Sequence, residues 1–142
     1  MSSTYAVDPH FGFVLVRPAG RFTEEAFIEL CRAVYDDPDR QPHYSVIWDA
    51  RGIDELVMDA DVIPMYKRFL RENAHRVTQG QVAIVSDREL ATTFASMLIE
   101  VGRSRVGAFE LFGTLDAAAR WIGIPPQAIA DLPAPRRVDA HS

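Results

Sequence analysis

Tyr44-Ser45-Val46-Ile47-Trp48-Asp49-Ala50-Arg51-Gly52 is the stretch on which the fold turns. Val46, Ile47 and Trp48 follow one another with no polar residue between them. A strand with one wet face alternates apolar and polar side chains. An unbroken short apolar run instead fits a strand covered on both faces, as in a parallel sheet. Val82-Ala83-Ile84-Val85 is a second run of this kind. Between the two, Val62, Met65, Tyr66 and Phe69 share one face of a helix expected over residues 61–73. Pro64 falls in the first turn of that helix, where its missing N–H costs little. Strand, helix, strand is therefore the unit.

Outward from this unit the pattern continues. Residues 4–7 and Phe13-Val14-Leu15-Val16 read as strands joined by the turn residues Asp8-Pro9-His10, hence as an antiparallel hairpin. Pro18 and Gly20 end the second strand. Thr23 then fits a helix N-cap, with Glu24 and Glu25 suiting the dipole of the first turn. Phe22 and Phe27 occupy the positions of a hydrophobic staple. Phe27, Leu30, Cys31 and Val34 recur at helical spacing until Asp36-Asp37-Pro38. Downstream, Ser86 and Glu89 fit a capping box for a helix with the apolar stripe Leu90, Phe94, Met97, Leu98 and Val101. Residues 106–112 read as the last strand. Thr114 caps a short helix over residues 115–122, and Gly123 ends it in the left-handed conformation.

These elements predict an α/β domain over residues 1–124. Its sheet is mostly parallel, with about five strands, an antiparallel N-terminal strand at one edge and about four helices. Residues 125–142 form a C-terminal extension, with residues 136–142 expected to fray. The exposed edge of the first strand is a natural place for a second copy to pair, which points to a homodimer.

The 142 residues include 48% hydrophobic and 25% charged side chains, enough for a core without disulfides. The net charge of -5 disfavours nonspecific nucleic-acid binding, which needs Lys and Arg to neutralise phosphates. Cys31 is the single cysteine, so an intrachain disulfide and a Cys-rich metal site are excluded. Residues 1–7 carry no basic region leading into an apolar run, and no run approaches the roughly 20 residues that span a bilayer. The expectation is a cytoplasmic protein with no integral membrane segment.

The strand and helix order resembles the SpoIIAA-like fold of STAS domains and of bacterial STAS/SEC14 domain-containing proteins. The resemblance runs through the hairpin, Gly20-Arg21-Phe22-Thr23-Glu24, Val46-Ile47-Trp48-Asp49-Ala50-Arg51-Gly52, and Phe109-Glu110-Leu111-Phe112-Gly113-Thr114-Leu115-Asp116-Ala117-Ala118. It implies a module of uncharacterised function that acts through protein contacts rather than catalysis, or alternatively a carrier or sensor of a small apolar or lipid-like ligand. One feature departs from the family. Anti-sigma-factor antagonists carry a phosphorylatable Ser at the start of the second helix, near Val57-Met58-Asp59 here. No Ser or Thr lies between Ile53 and Lys67.

His10, His43, His75 and His141 lack metal-ligand spacing, and no metal or cofactor is expected. Cys31 falls on an apolar helix face, where a buried inert thiol is the simple reading. Nucleophile-elbow, Walker and dinucleotide-binding motifs are absent, so no catalytic residue is assigned. Asp54, Glu55, Asp59 and Asp61 cluster before the second helix, as acids complementing its dipole or as a cation site without EF-hand spacing. Phe69, Phe94, Met97, Phe109, Phe112 and Trp121 either fill the core or line an apolar pocket.

One edge gathers polar groups. Parallel α/β sheets bind ligands beyond the carboxyl ends of their strands. That edge would assemble Arg21, Thr23, Asp49, Arg51, Ser86 and Asp87, with Arg88 and Thr114 beside them. Two readings stand: a site for an anion or small polar ligand, or ordinary caps and surface ion pairs.

Overall fold

A computed structural model describes residues 2–59, 61–75, 80–87 and 108–138, together with positions 89, 93 and 96. The strands are β1 (Ser3–Asp8), β2 (Phe13–Arg17), β3 (Gly20–Thr23), β4 (Ser45–Asp49), β5 (Ile53–Val57), β6 (Gln81–Val85), β7 (Ala108–Phe112) and β8 (Arg136–Val138). The helices are α1 (Glu24–Asp36), α2 (Val62–Glu72), α3 (Leu115–Ile122) and α4 (Gln127–Ala130), with a 3-10 turn at Ala50–Gly52.

The chain folds as α/β around a six-stranded sheet ordered β7-β6-β4-β2-β1-β8. β2, β4, β6 and β7 run parallel to one another, and β1 is antiparallel to β2. The hairpin closes as its turn residues dictate. Asp8 Oδ1 accepts from the N–H of His10 at 2.8 Å and of Phe11 at 3.3 Å, and Gly12 N–H donates to the Asp8 carbonyl at 2.9 Å.

The strand period of two splits the apolar runs between two cores. Val14, Val16, Val46, Trp48, Val82 and Ile84 face α1 and α2. There Phe27 packs edge-on against Tyr66 with ring centroids 4.8 Å apart. Phe13, Leu15, Ile47, Ala83 and Val85 face the other way, onto Ala118 and Ala119 of α3 and Ala128 of α4. Burial on both faces accounts for the unbroken apolar reading of β4 and β6.

Both caps form. Thr23 Oγ1 accepts from Ala26 N–H at 3.1 Å, Thr114 Oγ1 accepts from Ala117 N–H at 3.2 Å, and Gly123 sits at φ 86°. Phe22 meets Phe27 at 6.2 Å, as the staple requires. The apolar stripe expected at Leu90, Phe94, Met97, Leu98 and Val101, and the start of the last strand before Ala108, lie outside the described residues.

Three expectations are corrected. First, β1 is antiparallel but is not an edge. β8 lies outside it, pairing Ser3 with Val138, Thr4 with Arg137 and Tyr5 with Arg136. Residues 136–138 are thus strand rather than frayed chain, because the sheet edge offers them unpaired backbone groups and Arg136 finds a buried carboxylate. Second, β3 and β5 form a separate two-stranded parallel sheet. Asp54 and Glu55 belong to β5 and so stand apart from the start of α2, whereas Asp61 is the N-cap residue of α2, without a side-chain cap bond. Third, the aromatic set cannot line one pocket. Phe69 and Phe109 belong to the α1/α2 side of the sheet, Phe112 and Trp121 to the other, and Phe94 and Met97 fall outside the described residues.

Among the described residues no helix is long and apolar enough to cross a membrane.

Candidate functional site

β2 and β4 are parallel neighbours, with Val16 opposite Trp48. The next residues on each strand, Arg17 and Asp49, therefore emerge together at the carboxyl end of the sheet and on the same face. Asp49 is only 5% exposed. The 3-10 turn that follows folds Arg51 back over it. Asp49 Oδ1 accepts from the Arg51 backbone N–H at 3.2 Å and from its Nε at 2.8 Å, and Oδ2 accepts from Nη2 at 2.9 Å. Arg17 Nε reaches Oδ2 at 3.4 Å.

A two-pronged guanidinium pair of this kind fixes both partners in orientation. Burial of Asp49 favours its neutral form. The hydrogen bonds from Arg51 and the charges of Arg51 and Arg17 outweigh that and hold its carboxyl below the usual carboxylate value. The Arg51 guanidinium is raised by its bond to Asp49, against some desolvation, and by the charges of Asp49 and Asp87. The result is a buried carboxylate clasped by two partly exposed cations, with 47% of the Arg17 side chain and 38% of the Arg51 side chain accessible.

Of the six residues expected at this edge, Asp49 and Arg51 meet directly and Asp87 joins them electrostatically. Ser86 N–H donates to the Phe112 carbonyl at 2.9 Å, tying the ends of β6 and β7. Arg21 and Thr23 go elsewhere. Arg21 pairs with Glu55 at 3.6 Å across the small sheet, both exposed, and Thr23 is spent on the α1 cap. Arg88 lies outside the described residues.

Arg17 is the member that sequence reading missed. It follows an apolar strand and looks like an ordinary polar terminator. The available signal was its matching position with Asp49, which becomes informative once β2 and β4 are placed side by side.

Arg17 also lines a second feature. Thr4 and Arg17 are cross-strand partners in the β1–β2 hairpin. With Ala6 and Leu15 they border a cleft of 190 Å³, roofed by Ile129, Leu132, Pro133 and Pro135. A separate open cleft of 410 Å³ lies at the amino ends of β2 and β4, bordered by His10, Phe11, His43 and Tyr44. His10 sits edge-on to Phe11 at 4.5 Å and His43 edge-on to Tyr44 at 4.9 Å. Among the described residues no three His, Cys, Asp or Glu side chains converge as a metal site. Cys31 is buried in the α1 face, and burial pushes its thiol well above the ordinary value.

A second clasp joins the ends of the chain. The Asp37 side chain, 1% exposed, accepts from Tyr5 Oη at 2.7 Å and from Asp39 N–H at 2.9 Å, and pairs with Arg136 Nη1. Arg136 Nη2 reaches Asp39 Oδ2 at 2.8 Å.

Compared with known proteins, the chain matches no protein-family model and no curated protein.

Proposed function

We propose that this chain is a non-enzymatic STAS-like module that acts through protein contacts, a second copy of itself being the simplest partner. The observation that carries the reading is the state of Asp49. The carboxyl edge of a parallel sheet is where this architecture places its chemistry. A carboxylate serving there as acid or base needs a pKa near the working pH. Asp49 is instead held below the usual carboxylate value by Arg51 and Arg17. Its two-pronged bond from Arg51 at 2.8 and 2.9 Å, with Arg17 at 3.4 Å, supports a positioning role over proton exchange.

The contact reading draws support from the edges of the sheet. Among the described residues the sheet ends in β8 beyond β1 and in β7 on the other side. Leu111 on β7 and Phe11 in the hairpin turn are the large apolar side chains that the described residues expose. A terminal strand that carries an accessible apolar side chain supports pairing with another chain.

Native mass spectrometry of the protein purified from its own host, repeated with Leu111→Lys, tests this. The expected result is a discrete complex, at twice the chain mass or with one defined partner, that the substitution dissociates. A bare monomer at tens of micromolar, or a complex indifferent to Leu111→Lys, overturns the reading.

A further inference from the structure

We infer that the cleft beneath the C-terminal extension is a binding site for a small organic carboxylate, whose anionic end meets Arg17 and whose short hydrocarbon part lies against Ile129 and Leu132. This goes beyond the contact function proposed above and does not depend on it.

Three observations converge. The first is position: the cleft opens beside the carboxyl end of β2, in the region where parallel α/β sheets bind ligands. The second is polarity. Strand alternation puts Thr4, Ala6, Leu15 and Arg17 on one face of the hairpin, and Thr4 stands directly opposite Arg17. The polar pair therefore marks one end of the cleft, while the nearly buried Ala6 and Leu15 lie beneath it. The roof is apolar, built from Ile129 and Leu132, and Pro133 and Pro135 restrict its backbone. A site that sets an apolar wall beside a polar, cationic end favours a small amphiphilic anion. The third is preorganisation. Arg17 is oriented by Asp49 through Nε at 3.4 Å while nearly half of its side chain stays accessible. Asp49 is in turn neutralised by the two-pronged bond from Arg51. A guanidinium already held in place loses less conformational freedom on meeting a carboxylate.

Size narrows the class. The 190 Å³ is smaller than most drug-sized sites. It equals the share of roughly six liquid waters, which suits an anion of about six to nine non-hydrogen atoms. A ligand so small binds in the micromolar to millimolar range.

The test is a ¹H–¹⁵N correlation titration of the full chain with hexanoate, with hexanol and inorganic phosphate as separate probes. Hexanoate should give saturable shifts centred on Thr4, Arg17 and residues 129–132. Arg17→Gln should weaken its binding by roughly tenfold or more, the value of one charge-assisted bond, while Arg17→Lys, which keeps the charge, should retain a larger share. Thermal melts of both variants establish that they are folded. Hexanol and phosphate should each bind far more weakly, since each supplies half of the recognition. Shifts that do not saturate or that centre elsewhere overturn the assignment. So does equal binding of hexanoate by folded Arg17→Gln, or equal binding of hexanol or of phosphate alone.

Discussion

Replacing Arg136 with Ala removes the cation that faces the most deeply buried carboxylate of the C-terminal clasp. Asp37 is 1% exposed at its side chain, so it cannot recover by hydration what it loses. Tyr5 Oη at 2.7 Å and Asp39 N–H at 2.9 Å remain, and they soften the loss. Breaking a buried ion pair from one side costs about 3–5 kcal/mol. Arg136 is itself 47% exposed, so part of its charge was already hydrated. With that discount the expected destabilisation is about 2–3 kcal/mol. For a chain of this size that lowers the melting temperature by roughly 6–10 °C. The lost pair between Arg136 and Asp39 adds little, since both groups are largely exposed.

Far-UV circular dichroism gives the melting shift, and hydrogen exchange locates it. The amides that pair β1 with β8, around Tyr5 and Val138, should lose protection before the β4–β6 ladder does. The double variant Arg136→Met with Asp37→Asn should cost less than Arg136→Ala alone, because it leaves no unpaired charge buried. A shift below about 1 °C for Arg136→Ala would refute the reasoning, since a destabilisation of 2 kcal/mol cannot hide within it. Unchanged exchange at Tyr5 would show that β8 docks without the clasp.

Other expectations follow from single residues. Asp49→Asn keeps the shape of the carboxyl but not its charge. Because Asp49 is depressed in the fold, its contribution is complete above the unfolded value of about 3.9 and is lost as pH falls through the lower folded value. Urea unfolding at several pH values should therefore show the wild type ahead by about 1–2 kcal/mol at pH 7, and the two curves converging below pH 4. Parallel curves down to pH 2 would contradict the sign. Gly80→Ala would place a Cβ 2.8 Å from the His43 carbonyl oxygen and 3.0 Å from that of Tyr44, which the backbone cannot give up cheaply. A loss of about 1–3 kcal/mol in denaturant unfolding is expected, and a neutral substitution would show that the approach is looser than described. Cys31 is buried and its thiol raised, so Ellman's reagent should label it only after denaturant is added. Full labelling of the native protein would disprove that burial.

The sequence made legible those elements whose local signals agree with their tertiary setting. β4 and β6 were readable because burial on both faces removes polar residues from the run. α1 was readable because Thr23, Phe22 and Phe27 specify its start independently of the rest. β8 was not readable. Arg136-Arg137-Val138 has no strand pattern, and its place depends on a backbone edge and on Asp37, which is remote in sequence. β3 and β5 were missed for a related reason: each is short, and each is a strand because of the other. At the candidate site, Asp49 and Arg51 were visible since they are close neighbours on one strand end. Arg17 was not, because its role comes from the adjacency of β2 and β4. Arg21 and Thr23 were grouped with them, and in the fold they bond Glu55 across the small sheet and Ala26 at the α1 cap.

The two clasps use the same chemistry to different ends. In each, a buried carboxylate holds an arginine that is nearly half exposed. At Asp37 the guanidinium is used along its fork, Nη1 on Asp37 and Nη2 on Asp39, with the Tyr5 ring 5.9 Å away. Such an arginine is a fastener, and its removal should register in stability. At Asp49, Arg51 supplies the two-pronged partner and Arg17 approaches through Nε, at the border of a cleft walled by Ile129 and Leu132. The fastening there is already done by Arg51. Arg17→Gln should therefore cost less stability than Arg136→Ala while changing what the cleft binds. Measured side by side, the two substitutions separate a lock from a site. If Arg17→Gln proves the more destabilising, Arg17 is a fastener too, and the cleft loses its cationic end as a recognition element.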